Sequence, residues 1–423
     1  MPTEPTGRRR IANDEPAAQA VAWAAASFVT LQVGLIPFGM VPPAWFTLAT
    51  GALGGGTLLA ARLLCPARWS RVTLWPMLLL LGAYAVATAL GTSPSLSAQR
   101  FSALPLQALL FPCVQLCAWR SRALVAALGA VALAVCAMAF DGAWARSMGG
   151  SPFHQLGIEK GRRAGSQGNA NDMAAAAVLL PIALAVVPPT AHRGWALLLA
   201  CAGAVPGLAV ASRQAVGGWA VACVAWATAT GSRRRALVVL AGTASVLAAS
   251  VALHPGLRKR AAMLLHEGLG MRQQLVEHGW SCFLERPVLG WGPGLYRELH
   301  SAGIESGWQS GGKPLPNVVI PWVHCLPVEV LLDTGVLGFS AAVTVVATAM
   351  RRSWASRGGS CVASRAAVAG GCALAVIVAI GLVDLSLLKD WVRCTLWLSL
   401  GLAFLQREST AERPEPAPRE FLA

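Results

Sequence analysis

Charge is what this chain has least of. Asp, Glu, Lys and Arg make up 13% of its 423 residues, against 55% that are hydrophobic. Soluble domains carry about 25% charged residues, so this composition excludes an ordinary water-soluble fold and points to a helical membrane protein. Acidic residues are scarcer than basic ones, 19 against 34, giving a formal net charge of +15. That excess does not signal nucleic-acid binding. No basic recognition helix, zinc finger or aromatic-lined RNA platform is legible, and the arginines fall between apolar runs. Also missing are a CxxC pair, a Cys/His spacing suited to a metal, an internal repeat and a compact signal-peptide layout. Of the 11 cysteines, Cys113, Cys117, Cys136, Cys201, Cys223 and Cys372 lie inside apolar runs and read as small core residues.

What is present is a series of apolar segments near the length that crosses a bilayer. They run at about 18–40, 43–64, 72–91, 101–119, 122–140, 171–188, 195–211, 214–230, 236–253, 324–350, 361–383 and 391–406. The expected fold is an all-α polytopic membrane protein of about 12 transmembrane helices with one large outer loop. A cytoplasmic tail, 1–17, precedes an uncleaved first span. Helices 1–9 occupy 18–253 with an outer loop at 141–170, a larger loop spans 254–323, helices 10–12 occupy 324–406, and 407–423 form a Pro/Glu-rich disordered tail.

Orientation follows from the basic residues, which collect on the cytoplasmic side. With the N-terminus inside, the inner loops hold Arg62, Arg68 and Arg71, then Arg120 and Arg122, Arg193, Arg233 to Arg235, and Arg351, Arg352 and Arg357. Both termini are then cytoplasmic. Seven basic residues oppose the bias: Arg100, Lys160, Arg162, Arg163, Arg213, Arg272 and Lys389. A cation kept at the outer face commonly answers an anion.

Four constellations carry candidate chemistry. In GRRAGSQGNANDMA, residues 161–174, Asn171 or Asp172 is placed to cap a helix, with Asn169 close by, and Arg163 ahead of a helix N-terminus suits a phosphate. Ser212-Arg213-Gln214 joins two apolar runs, so Arg213 either snorkels toward lipid headgroups or grips an anion. Arg272 shares a predicted interfacial helix with Trp280 and Phe283, where it is either an interfacial arginine or a diphosphate ligand. Arg286-Pro287 ends that helix, and Gly290-Trp291-Gly292-Pro293-Gly294 must be a tight turn. His324 stands where the large loop meets the next span, followed by Glu329 and Asp333 on one helix face. It is either a loop histidine bonded to backbone or a base for an attacking hydroxyl. His154, His254, His266, His278 and His300 lie on the same side, so histidine content alone does not select it. Cys282 and Cys325 fall there too, where a disulfide is chemically open to them.

Taken in order, Arg163-x-Gly165 with Asn169-x-Asn171, Ser212-Arg213, Arg272 with Pro287-Val288-Leu289-Gly290-Trp291-Gly292, and His324 with Glu329 and Thr334-Gly335-Val336-Leu337-Gly338 form a set. This ordered set resembles the O-antigen ligase family and its O-antigen polymerase relatives. The layout matches over roughly residues 70–400. Cys325 replaces the asparagine usual after the histidine, Val276 replaces a common aromatic, and Gln214 a small residue. The resemblance implies a GT-C-like, metal-independent, inverting glycosyltransferase of the bacterial inner membrane, without a cofactor, with its site on the periplasmic face. It implies a donor glycan on undecaprenyl diphosphate. The acceptor is lipid A–core for a ligase, in lipopolysaccharide biosynthesis, or another lipid-linked repeat for a polymerase of O-antigen or exopolysaccharide. Arg213 and Arg272 would hold the diphosphate with help from Arg163, and His324 would act as general base, with Asn169, Asn171 and Glu329 supporting. The competing class is a polytopic transporter or flippase, which predicts repeats and broken helices at the midplane.

Overall fold

A computed structural model describes residues 15–36, 44–148, 158–159, 162–163, 170–188, 193–231, 233–253, 255–259, 262 and 270–405. The described residues are all-α apart from two short antiparallel strand pairs. Each of the twelve apolar segments of the sequence corresponds to a helix or a broken run of helices. In chain order these are α1 Glu15–Gly34, α2 Ala44–Leu64, α3 Trp75–Leu90, α4 Pro94–Phe101, α5 Leu110–Cys117, α6 Ser121–Met148, α7 Ala174–Leu184, α8 Arg193–Ala209, α9 Arg213–Thr230 and α10 Arg233–Leu253. The segment between α10 and the last three helices supplies α11 Met271–Glu285 and α12 Tyr296–Glu305. Then come α13 Leu326–Ala355, α14 Val362–Asp384 and α15 Asp390–Ala403.

By length and composition, six of the described helices can cross a membrane: Glu15–Gly34, Phe46–Leu64, Ser121–Met148, Ala236–Leu253, Leu326–Ala355 and Val362–Asp384. A seventh results if α4 and the run Leu104–Cys117, bent by 42°, count as one span. The remaining segments give helices that fall short in length or in hydropathy, α9 with its 18 residues among the latter. α3, α7 and α8 are apolar but too short to meet that criterion alone, because prolines, glycines and polar site residues end them early.

The core sits on α7, whose sequence AAAAVLLPIAL is buried along its whole length. A helix apolar on every face belongs at the centre of a bundle, and α6, α8, α9 and α14 pack around it. Small alanine side chains let these neighbours approach closely. At the rim, α10 stacks on α9, and Leu237, Val238 and Leu253 are exposed.

The segment after α10 folds as a small unit on one end of the bundle. Leu275, Cys282, Tyr296, Leu315, Val323, Cys325 and Leu332 form its core. As expected, α11 ends at Glu285, ahead of Pro287, and Gly290, Gly292 and Gly294 all take positive φ. That turn has a second partner that the sequence did not announce. α13 breaks at Gly335, with φ 64° and ψ −169°, which frees backbone groups inside an apolar bundle. The turn satisfies them: Trp291 N donates to Leu332 O at 2.8 Å, Gly292 N to Asp333 O at 3.1 Å, and Val336 N to Pro287 O at 2.8 Å. The approach is so close that a Cβ on Gly335 would stand 2.1 Å from Val288 O. Only glycine fits there, for space and for backbone conformation alike. Arg100 on α4 clamps the far side of the turn, accepted by Gly294 O and by both oxygens of Glu298.

One local expectation is corrected, and one open pairing is decided. Asn171 and Asp172 do not cap α7; they lie in the 3-10 turn Ala170–Met173 before it, and the cap position is Met173 with no side-chain bond. Cys282 and Cys325 are separate, buried free thiols, and burial pushes the Cys282 thiol up to about 11.

Candidate functional site

The centre of the site is a residue that none of the four constellations contained. Asp384 is the last residue of α14, and its side chain is 2% exposed. A carboxylate buried that deeply is held by surrounding donors or not at all. Here three converge on it. Arg272 Nη2 donates to Oδ2 at 2.5 Å, Asn171 Nδ2 donates to the same oxygen at 2.6 Å, and His324 Nδ1 bonds to Oδ1. Arg272 Nη1 also donates to Val383 O at 3.2 Å. The backbone is used as well, since Gln214 Nε2 donates to Asp384 O at 2.9 Å.

Arg213 joins through its neighbours. Ser212 is fully buried, caps α9 by accepting from Ala215 N at 3.3 Å, and donates to Asn171 Oδ1 at 3.3 Å. Arg213 therefore begins α9 one residue from the Asn171–Asp384 pair, with its side chain exposed. Ala211 and His324 are the two non-glycine residues with left-handed backbone among those described, at φ 52° and 63°. Such conformations cost about 1–3 kcal/mol each and cluster at functional sites. Both lie within this assembly.

His324 is 17% exposed. Asp384 already accepts from Arg272 and Asn171, so it is the acceptor toward His324 too, and Nδ1 carries the proton. Nε2 has no hydrogen-bond partner among the described residues. Trp322 Nε1 lies 3.3 Å from the same Nδ1. Since an Nδ1–H cannot also accept, this approach is a packing contact between the rings, whose centroids are 5.7 Å apart. Lys389 covers the indole at 5.0 Å and is tied to Asp172 at 2.5 Å.

Glu329 and Asp333 do share a face of α13 and both are buried. Glu329 Oε1 accepts from Ser386 Oγ at 2.8 Å and from Leu387 N at 2.9 Å, which fixes the chain just after Asp384. Asp333 Oδ1 accepts from Gly294 N at 3.0 Å and anchors the glycine turn. Both supports act on the backbone that carries the site.

The structure thus brings together Asn171, Arg213, Arg272, His324 and Glu329 from the sequence-predicted set. For Arg163 only the backbone is described, in a two-residue strand paired with Ile158. Asn169, Lys160, His154, His254 and His266 lie outside the described residues. Three of the outward cations have carboxylate partners within the chain: Arg100 with Glu298, Lys389 with Asp172 and Arg272 with Asp384. Of the other histidines, His278 and His300 are buried in the core of the α11–α12 unit, with ring centroids 6.1 Å apart.

Missed by the sequence reading were Asp384 and Ser386. Asp384 did leave a signal. A lone carboxylate closing an apolar run is a functional-site hypothesis by default, because an isolated charge is expensive there.

No family model matches the chain, and no curated protein matches it. What fold and composition define is an all-α protein with several helices able to span a membrane.

Proposed function

We propose that the chain is an O-antigen ligase-like glycosyltransferase, moving a glycan from undecaprenyl diphosphate to an acceptor hydroxyl at the periplasmic face of the bacterial inner membrane. In this reading all twelve apolar segments cross the membrane, and the end bearing Glu15, Arg68 and Arg120 is cytoplasmic. One observation carries it: a single buried carboxylate, Asp384, aligns a guanidinium on one oxygen and an imidazole on the other.

The chemistry follows from that alignment. Nδ1–H on Asp384 fixes the ring and its tautomer, so Nε2 faces the acceptor as general base. As Nε2 takes the proton of the acceptor hydroxyl, its oxygen attacks the anomeric carbon from the side opposite the diphosphate. The bond from that carbon to the diphosphate oxygen breaks and the electron pair leaves with the diphosphate, so the configuration inverts. Negative charge then grows on the leaving group. Arg272, held rigid by Asp384, and Arg213 nearby meet that charge with preorganised donors, worth most where water is scarce. The diphosphate linkage supplies the driving force, so no nucleotide is consumed.

The test uses a strain lacking the chain, complemented with wild type, His324→Ala, Arg213→Ala or Arg272→Ala. Lipopolysaccharide and lipid-linked glycan are run side by side. Polymeric glycan accumulating on undecaprenyl diphosphate beside bare lipid A–core is the expected result for the deletion and the variants. A core bearing a single repeat would assign the polymerase reaction instead. Unaltered glycans on both carriers, or flipping by purified protein without transfer, would refute the transferase reading.

A further inference from the structure

Outside the bundle, α11 buries one face and leaves a second apolar one uncovered. Leu275, His278, Gly279, Cys282 and Phe283 turn inward. Trp280 and Leu284, four residues apart and so on one stripe of the helix, are exposed, and Val288 continues the row past the end of the helix. Large apolar side chains gathered in one exposed row mark a contact surface. Gln273 takes the same stripe about two turns earlier, at the end that carries Arg272. There it donates to Glu277 Oε1 at 2.9 Å. Glu285, exposed and charged, points about 100° away from Leu284. The apolar exposure is thus confined to the C-terminal half of one edge.

The depth of that edge follows from α13. Val336 N donates to Pro287 O at 2.8 Å and Leu337 N to Val288 O at 3.4 Å, so Val288 lies level with the break at Gly335. From the break to the end of α13, residues 336–355, is about 30 Å of helix, the thickness of a bilayer's hydrocarbon core. A span of that length sets the break, and the edge with it, at the boundary between hydrocarbon and headgroups. Trp354 is exposed at the far end of the stretch as Trp280 is at the near one, and tryptophan favours both interfaces of a membrane. The edge also merges with the outer surface of the spanning helices. Leu289 and Leu337 line one apolar groove with Leu78, Leu79 and Val86 of α3, and all of these but Leu289 are exposed. Arg286, exposed next to Pro287 with its guanidinium 5.0 Å from the Trp291 ring centroid, supplies a cation at headgroup depth.

We propose that the edge formed by Trp280, Leu284 and Val288 is a membrane-docking surface, seated among the phospholipids of the leaflet on the Asp384 side of the bilayer. α11 then behaves as an obliquely inserted amphipathic helix, its Gln273 end in water and its Leu284 end in lipid. Because Arg272 stands on the same helix, the bilayer helps to hold that guanidinium against Asp384. A protein partner would have to stop where the edge merges with α3 and α13, whereas lipid covers all three without a seam.

The test puts a photo-crosslinking benzophenone amino acid in place of Leu284, Val288 or Gln273 in the full-length protein. Each protein is reconstituted in vesicles of phosphatidylethanolamine and phosphatidylglycerol, irradiated, and weighed intact by mass spectrometry. Phospholipid adducts at positions 284 and 288, lost at position 273, are the expected result. No lipid adduct at 284 or at 288 overturns the proposal, because the edge would then stand in water. A crosslinked dimer in place of the lipid adduct also overturns it, making the edge an interface between copies of the chain. Equal lipid adduct at 273 overturns the assignment to this edge, since the whole stripe would then be covered. Should one of the proteins substituted at 284 and 288 fail to fold, the other decides the matter.

Discussion

The two ends of the helix bundle use the same device with opposite consequences. At one end Glu15, at the start of α1, meets Arg68 at 2.6 Å and also Arg120. At the other, Asp384 meets Arg272 and His324. In each case one carboxylate gathers two basic side chains from distant parts of the chain. Glu15 is 45% exposed and Asp384 is 2% exposed. Water screens the first cluster, so it does little more than tidy the ends of neighbouring helices. The second has no such screening. Its members depend on each other, because removing one leaves the rest buried without a counter-charge. Burial converts a surface ion pair into a scaffold for chemistry.

Substitution at Asp384 should break that contrast most sharply. Asp384→Ala strands Arg272, Asn171 and His324 together, and a broken buried pair costs about 3–5 kcal/mol. A thermal scan in detergent measures it. Asp384→Asn keeps the shape but changes the tautomer of His324, so glycan transfer should fall by about 10³-fold while the protein still accumulates.

Next comes the joint between the glycine turn and α13. Gly335→Ala forces a Cβ into Val288 O and a side chain into left-handed backbone. A loss of about 3 kcal/mol is expected, read as a lower melting temperature or reduced accumulation. Arg272→Lys keeps the charge but loses the fork that binds Asp384 and Val383 O together. It should lower transfer by about 10²-fold with near-normal protein levels.

A pH titration sharpens the comparison on the same side of the molecule. Burial, with His300 adjacent, drives the His278 imidazole down from 6.5 to about 4, and burial lowers His300 too. Cys282, Tyr296 and Trp308 face His278, and among the described residues no carboxylate forms an ion pair with either ring. The unfolded chain takes up these protons first, so the stability contributed by the neutral rings is complete above pH about 6.5. It declines as pH falls toward about 4. Melting temperature followed over that interval should drop in wild type and less steeply in His278→Phe. Glu15→Gln should give the smallest effect, a melting temperature within the error of the scan.

Much of this was legible in the sequence because hydropathy and the placement of arginine are linear signals. The twelve apolar segments, the end of α11 before Pro287 and the turn at Gly290 to Gly294 all reappear. So does the gathering of Asn171, Arg213, Arg272 and His324 at one end, although they come from four separate segments. What stayed hidden depended on depth. Asp384 stood out in the sequence only as a carboxylate closing an apolar run, and its role shows once three donors are seen around it. Asn171 had the composition of a helix cap, yet its Nδ2 donates to Asp384 and its Oδ1, the atom a cap would use, accepts from Ser212 Oγ. The break at Gly335 was invisible because LLDTGVLG reads as uninterrupted helix, and its partner, the turn at Gly290, lies more than 40 residues earlier.

The most direct test of the account is glycan transfer by purified protein across pH, comparing wild type with Asp384→Asn and supplying undecaprenyl-diphosphate-linked glycan and lipid A–core. The account predicts transfer by wild type, with an acid limb, where the base is lost to protonation, that disappears or moves in Asp384→Asn along with most of the rate. Equal rates and identical pH profiles for the two proteins would contradict it, because Asp384 would then hold the bundle together without organising Arg272 and His324 for chemistry.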